Sequence, residues 1–101
     1  MAKAKEDVIW ITGASSGIGK AMAIECARLG YKVALSSRRK ELLDKVADTI
    51  QDSGGEALVV PCDIMEETSI GNTVQQIVTK WGRLDIVVAN AGFGVFGSIE
   101  N

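Results

Sequence analysis

The chain has 101 residues, of which 47% are hydrophobic and 24% are charged, with a net charge of -2 and a pI near 5.0. This composition is typical of one small globular domain. It offers no basic face for nucleic acid or for an anionic membrane, and no apolar run is long enough to span a bilayer. The charged N-terminal segment lacks the apolar core of a secretory signal, so we expect a cytoplasmic protein with no nucleic-acid or membrane partner.

The elements alternate between strand and helix along the chain. Short β-rich runs predict strands over 8–12, 31–36, 57–63 and 84–89, and apolar residues at helical spacing predict helices over 18–29, 40–51 and 67–81. Glycines follow each predicted helix, at Gly30, at Gly54 and at Gly82. Gly71 lies inside the third helix and weakens it by roughly 1 kcal/mol relative to alanine.

This alternation predicts an α/β fold. Strand-helix repeats of this length form parallel strands with right-handed crossovers, and strands that are apolar throughout are covered by helices on both faces. We therefore expect a Rossmann-type doubly wound parallel sheet, whose first four strands have the order 3-2-1-4. Pro61 fits this order, because proline is confined to edges or ends of sheets and the third strand is then an edge. No internal boundary divides 1–101.

The fourth predicted strand, over 84–89, is strongly apolar (LDIVVA). In the predicted order its outer edge has no partner, and a bare apolar edge promotes aggregation. We therefore expect 1–101 to be the N-terminal part of a single larger, truncated domain. In the alternative, another chain covers this edge.

The stretch TGASSGIG at 12–19 joins the first strand to the first helix. Its glycines have a GxxxGxG spacing, at Gly13, Gly17 and Gly19. A GxGxxG fingerprint would need glycine in place of Ser15. A P-loop would need glycine in place of Ala14 and Ser or Thr in place of Ala21, so no magnesium nucleoside triphosphate is indicated.

The same turn suits a pyrophosphate. Gly13 permits a sharp exit from the strand, while Gly17 and Gly19 let the helix start approach a ligand and the sheet. The free N–H groups and positive dipole end of the helix favour an anion, and Ser15 and Ser16 add hydroxyls. The alternative is a glycine-rich turn without a ligand, although its position after the first strand is where such ligands bind.

A basic cluster follows the second predicted strand. It consists of Arg38, Arg39 and Lys40, preceded by Ser37, and no carboxylate occurs before Glu41. An NAD site usually has Asp or Glu here to bind the ribose 2′-hydroxyl, whereas guanidinium groups pair with a 2′-phosphate. The cluster therefore favours NADP(H), with NAD(H) as the alternative cofactor. A solvated basic helix start is the other interpretation, weakened because cations are disfavoured at a helix N-terminus.

Two further polar positions follow predicted strands. Asp63 could accept a hydrogen bond from the adenine amino group, cap the next helix, or do both. Asn90, followed by Ala91 and Gly92, ends the fourth strand and could hold a ribose or tie strands together. The chain has no histidine, and its two cysteines, Cys26 and Cys62, form no CxxC pair. We expect reduced thiols and no metal site.

These features together resemble the short-chain dehydrogenase/reductase family over essentially the whole chain, as the N-terminal half of such proteins. TGASSGIG is similar to the TGxxxGxG motif, Asp63 to the adenine-side aspartate, and the run ending at Gly92 to NNAG, with Ala89 replacing its first Asn. The resemblance implies hydride transfer between a nicotinamide and a carbonyl or alcohol carbon. It implies cofactor contacts by Gly13, Ser15, Ile18, Arg38, Asp63, Ile64, Asn90 and Gly92, with Ser37-Arg38 similar to NADP-preferring members.

The catalytic Ser, Tyr and Lys of this family lie in its C-terminal half. The one tyrosine here, Tyr31, has Leu35 where a YxxxK motif needs lysine. The resemblance thus implies an oxidoreductase acting on a small-molecule substrate, homo-oligomeric at full length, with no catalytic residue within 1–101. The alternative is a non-catalytic dinucleotide-binding or interaction module.

Overall fold

The computed structural model describes residues 7–15, 17–62, 67–89 and 95–98. The strands are β1 (Val8–Thr12), β2 (Lys32–Ser36), β3 (Glu56–Val59), β4 (Ile86–Ala89) and β5 (Val95–Ser98), and the helices are α1 (Gly17–Arg28), α2 (Lys40–Asp52) and α3 (Glu67–Trp81). The seven predicted elements are confirmed, with shorter third and fourth strands. No helix in these ranges is both long and apolar enough to cross a membrane.

The first four strands form a parallel sheet in the order β3-β2-β1-β4, as predicted. The central strand β1 pairs with β2 on one side and β4 on the other, and all five of its residues are buried. An apolar strand of this kind fits only the middle of a sheet that is covered on both faces. The Rossmann-type architecture is therefore confirmed.

Alternate side chains of β1 enter two separate cores. Ile9 and Ile11 join the cluster formed with α1 and α2, which includes the fully buried Leu43. Val8 and Trp10 point to the opposite face and join residues of α3. Since successive side chains of a strand face opposite sides of the sheet, one strand anchors both helical layers.

Pro61 lies beyond the end of the edge strand β3, where the chain still follows β2. The amide of Val60 donates to Leu35 O at 2.9 Å, and the amide of Cys62 donates to Ser37 O at 3.2 Å. Pro61 lies between them and is exposed. Along a strand edge, the backbone N–H groups of alternate residues point away from the neighbouring strand. The N–H that Pro61 lacks would have pointed away from β2, so this proline removes no hydrogen bond to it.

The prediction that the outer edge of the fourth strand lacks a partner is wrong. The strand β5 pairs antiparallel with β4, with Ser98 opposite Ile86 and Val95 opposite Val88. The sequence carried a signal for this hairpin, since NAGFG separates two short apolar runs and a short glycine-containing connection is typical of hairpins. The prediction assigned Asn90, Ala91 and Gly92 to a ribose contact or a tie between strands and did not include a hairpin.

A charged cluster ties β1 to β4 at the amino-terminal end of the sheet. The Asp85 carboxylate accepts a hydrogen bond from the Val8 amide at 2.8 Å and two from Arg83, at 2.9 Å and 3.0 Å. Arg83 also donates to Asp7 at 3.0 Å. The Arg83 hydrogen bonds hold the pKa of Asp85 below its ordinary value, and the Val8 amide acts in the same direction against the opposing effect of partial burial.

We expect Asp85→Asn to lower the free energy of unfolding by about 1 kcal/mol at neutral pH, because the partly exposed ion pair with Arg83 loses its negative partner. A lowered pKa stabilises the fold fully above the ordinary value of 3.8, and this contribution disappears as pH falls through the folded-state pKa. The difference between wild type and variant should therefore shrink below about pH 4. Urea unfolding across pH measures this, with the exposed Asp48→Asn as control. A difference constant down to strongly acidic pH would contradict the prediction.

Two glycine-to-alanine variants should change stability in opposite directions. Gly71→Ala should stabilise by about 0.5–1 kcal/mol, since a Cβ at this position in α3 meets no atom within 4 Å in the part of the chain that the structure describes. Gly55→Ala should destabilise by about 1–3 kcal/mol, because its Cβ would lie 2.9 Å from Ile50 Cγ2, on a side chain that is 1% exposed. Thermal unfolding measures both; equal shifts would refute the packing argument.

Candidate functional site

The predicted site residues follow the carboxyl ends of neighbouring parallel strands, which meet at one edge of the sheet. Among the described residues are Gly13, Ser15, Gly17, Ile18, Gly19, Ser37, Arg38 and Arg39. The predicted contacts Ser16, Asp63, Ile64, Asn90, Ala91 and Gly92 lie outside the described residues. The structure therefore describes the turn after β1 in part and the turn after β2 in full.

The three glycines of the turn are needed for different structural reasons. Gly13 and Gly17 have φ angles of 64° and 61°, a region that residues with a Cβ rarely adopt. A Cβ on Gly17 would meet no atom of the described residues within 4 Å, so these residues leave open space beside the first residue of α1. Gly19 is buried on the protein side of α1. Gly17 thus leaves room for a ligand, while Gly19 serves close packing.

The start of α1 has the electrostatics of an anion site. Its first turn contains no acidic residue, so no side chain of this turn neutralises the positive end of the helix dipole. Lys20 in the same turn adds a positive charge. Ile18 is 70% exposed and presents an apolar side chain beside this positive end. The combination suits a ligand with both a phosphate and an apolar surface.

Ser36 joins the turn after β1 to the end of β2. Its carbonyl accepts a hydrogen bond from the Ala14 amide at 3.1 Å. Its hydroxyl accepts from Trp10 Nε1 at 2.8 Å and donates to Val60 O at 2.7 Å. Ser36 is fully buried and Trp10 is 4% exposed. The indole N–H and the Ser36 hydroxyl are therefore both shielded from water, and these bonds satisfy them.

This connection between Trp10 and Ser36 was not predicted from the sequence. Its signals were a serine at the end of an apolar strand and a tryptophan within another, because a buried indole N–H needs an acceptor. Spacing alone cannot pair the two residues, since they are 26 positions apart. Strand order and register bring them together. Trp10 lies opposite Ala34 in the parallel pair, and Ser36 follows Ala34 on the same face of the sheet.

The basic cluster after β2 divides into two parts. Lys40 forms an ion pair with Asp44 at 2.9 Å, one turn along α2. Arg38 and Arg39 are exposed, and no carboxylate pairs with them in the part of the chain that the structure describes. Two guanidinium groups are therefore available for an anion, rather than the three cations that the sequence suggested.

Ser37 shapes the turn that carries these arginines. Its hydroxyl accepts a hydrogen bond from the Arg39 amide at 3.0 Å, and its carbonyl accepts from the Cys62 amide. Arg39 is the N-cap of α2 and makes no side-chain capping bond. Arg38 thus lies in a turn fixed on one side by Ser37 and on the other by the start of a helix.

Other reactive side chains lie away from this edge or are internally satisfied. Tyr31 precedes β2 at the amino-terminal end of the sheet and packs against the α1–α2 core. Cys26 and Cys62 are free thiols; burial raises the pKa of Cys26, and the Glu25 carboxylate adds to this effect. Across the four described ranges, no group of three potential metal ligands occurs.

Comparison with known proteins identifies the chain's relatives. A sequence model of short chain dehydrogenases matches residues 7–101. An uncharacterized oxidoreductase of Listeria innocua is 42% identical over 88 residues, which are 87% of this chain and 36% of that protein. A metagenomic short-chain oxidoreductase solved in complex with NADP is 39% identical with a TM-score of 0.82, over 91% of this chain and 42% of that one.

A Haemophilus influenza protein solved with bound NAD is 31% identical with a TM-score of 0.81, over 85% of this chain and 31% of that one. The chain therefore spans between 31% and 42% of the length of these three proteins. The family match extends through the described strands and helices and through the glycine turn. The chain belongs to the short-chain dehydrogenase family.

Proposed function

We propose that this chain forms the NADP(H)-binding portion of an oxidoreductase that moves a hydride between the nicotinamide and a carbonyl or alcohol carbon. The observation that carries the proposal is the pair of exposed guanidinium groups, Arg38 and Arg39, directly after β2. The end of that strand is hydrogen-bonded to the glycine turn through Ala14 and Ser36. A 2′-phosphate site and a pyrophosphate site would thus be neighbours, as they are in a dinucleotide.

The turn after β1 would hold the pyrophosphate. The open space that the described residues leave at Gly17 and the absence of an acidic residue from the first turn of α1 support this, because backbone N–H groups at a helix start bind phosphate oxygens. Ile18 would cover an apolar part of the cofactor. Ser15 and Ser16 would add hydroxyl donors.

The turn after β2 would select the 2′-phosphate. Guanidinium groups bind phosphate with paired, charge-assisted hydrogen bonds, and the Ser37 hydroxyl can donate while it accepts from Arg39. An NAD-selective site needs a carboxylate for the 2′-hydroxyl, and the first one here, Glu41, is exposed in the first turn of α2. One relative was solved with NADP and another with NAD, so the choice rests on this turn.

The other predicted cofactor contacts would bind the adenine and a ribose. Asp63 and Ile64 would contact the adenine, and Asn90, Ala91 and Gly92 a ribose. The bound nicotinamide would give up or accept the hydride, and the groups that exchange the substrate proton would lie outside 1–101. A small-molecule substrate, a homo-oligomeric assembly and a cytoplasmic location are part of the same proposal.

We expect Arg38→Ala to weaken NADPH binding by about tenfold to a hundredfold and NADH binding by less than about threefold, because a charge-assisted contact to the 2′-phosphate is lost. Titration of the intact protein by nicotinamide fluorescence measures both dissociation constants. Arg28→Ala is the matched control, since Arg28 is an exposed arginine at the far end of α1, paired with Glu25. Equal weakening of both cofactors would overturn the NADP(H) assignment.

The oxidoreductase function predicts cofactor consumption by the intact protein. NADPH absorbance should fall in the presence of some members of a panel of aldehydes and ketones, or NADP⁺ should be reduced by alcohols. A protein that binds NADPH tightly but turns over none of the panel in either direction would instead support the non-catalytic module.

A further inference from the structure

We propose that Ser36, together with Trp10, is a positioning pair that sets the affinity for the 2′-phosphoadenosine part of the cofactor. This inference rests on the proposed function, because it assigns the pair a role in that same site. Neither side chain needs to touch the cofactor. The pair would act through the turns that it holds together.

Three loops at the cofactor edge meet at Ser36. Its carbonyl holds the glycine turn through the Ala14 amide at 3.1 Å, and its hydroxyl holds the segment after β3 through Val60 O at 2.7 Å. The third loop is its own continuation, in which the next residue, Ser37, fixes the arginine turn. Each of these loops leads directly into residues proposed to contact the cofactor.

The Ser36 side chain adds a constraint that the backbone does not supply. The β1–β2 and β2–β3 ladders exist in any parallel sheet of this register. The bond from Trp10 Nε1 to Ser36 Oγ and the bond from Ser36 Oγ to the backbone carbonyl of Val60 add a connection between β1, β2 and the segment after β3 that depends on the Trp10 and Ser36 side chains. Its members lie on the α3 face, where Trp10 and Ala34 pack together. Within the described ranges, every buried side-chain nitrogen and oxygen has a hydrogen-bond partner.

Loss of the Ser36 hydroxyl would leave the Trp10 indole N–H without its acceptor and Val60 O without this donor. Both groups are buried, and a buried polar group without a partner drives local rearrangement or water entry. The end of β2 would shift relative to β1 and β3. The nearest cofactor-binding element is the arginine turn, which begins at the next residue. The effect should therefore be larger for a ligand that carries the 2′-phosphate.

The test compares two probes, 2′,5′-ADP and 5′-AMP, by calorimetric titration of the intact protein well below its unfolding temperature. Ser36→Ala should weaken 2′,5′-ADP by about fivefold to tenfold, and 5′-AMP by no more than about twofold, because one positioning contact is lost. Trp10→Phe keeps an aromatic ring and the bond from Ser36 to Val60. It should weaken 2′,5′-ADP by a smaller factor in the same direction, and it serves as the second test if Ser36→Ala does not fold.

The matched control is Asp85→Asn, which loosens a contact between strands at the opposite end of the same sheet. It should lower the melting temperature without changing the ratio of the two dissociation constants. A Ser36→Ala protein whose ratio equals that of wild type, or whose ratio changes no more than that of the control, would overturn the positioning role. A folded wild type that binds neither 2′,5′-ADP nor NADPH would instead refute the proposed function.

Discussion

The parallel pairing of β1 with both β2 and β4 is the constraint on which the candidate site depends. Because β1 is buried along its whole length, its neighbours are fixed on both sides and its side chains are divided between two helical layers. Parallel strands bring their carboxyl ends to a single edge. The glycine turn and the arginine turn are therefore close in space although about 20 residues separate them in sequence.

An arginine is paired with carboxylates at the amino-terminal end of the sheet, and two arginines are unpaired at the described part of its carboxyl end. At the amino-terminal end, Arg83 is held between two aspartates, and their interactions contribute to folding. At the carboxyl end, the described part of the chain places no carboxylate against Arg38 or Arg39, beside a helix start that already favours anions. Uncompensated positive charge of this kind does not stabilise the fold by itself. Charged groups that do not contribute to the stability of the fold are expected where a ligand binds.

Elements with strong periodicity were predictable from the sequence, and contacts that depend on register were not. The bounds of β1 and α3 follow directly from apolar runs and flanking glycines. The edge position of β3 followed from the predicted strand order, and Pro61 supported it independently because a missing N–H is a local property. The bond between Trp10 and Ser36, in contrast, requires strand order and register together with side-chain rotamers. The hairpin partner β5 was missed because NAGFG fits both a turn and a ligand motif, and local sequence does not choose between them.

A buried hydroxyl at the end of a core strand places specific demands on its surroundings. An alanine at position 36 would need no hydrogen-bond partner and would tolerate small displacements of β2. The end of β2 could then shift relative to β1 and to the segment after β3. Serine is stable there only while an indole N–H from β1 and a carbonyl after β3 are both at hydrogen-bond distance. The side chain therefore penalises any arrangement in which β1, the end of β2 and the segment after β3 are out of register. That penalty is a form of preorganisation, because it is incurred during folding and reduces the ordering that a ligand would otherwise have to impose.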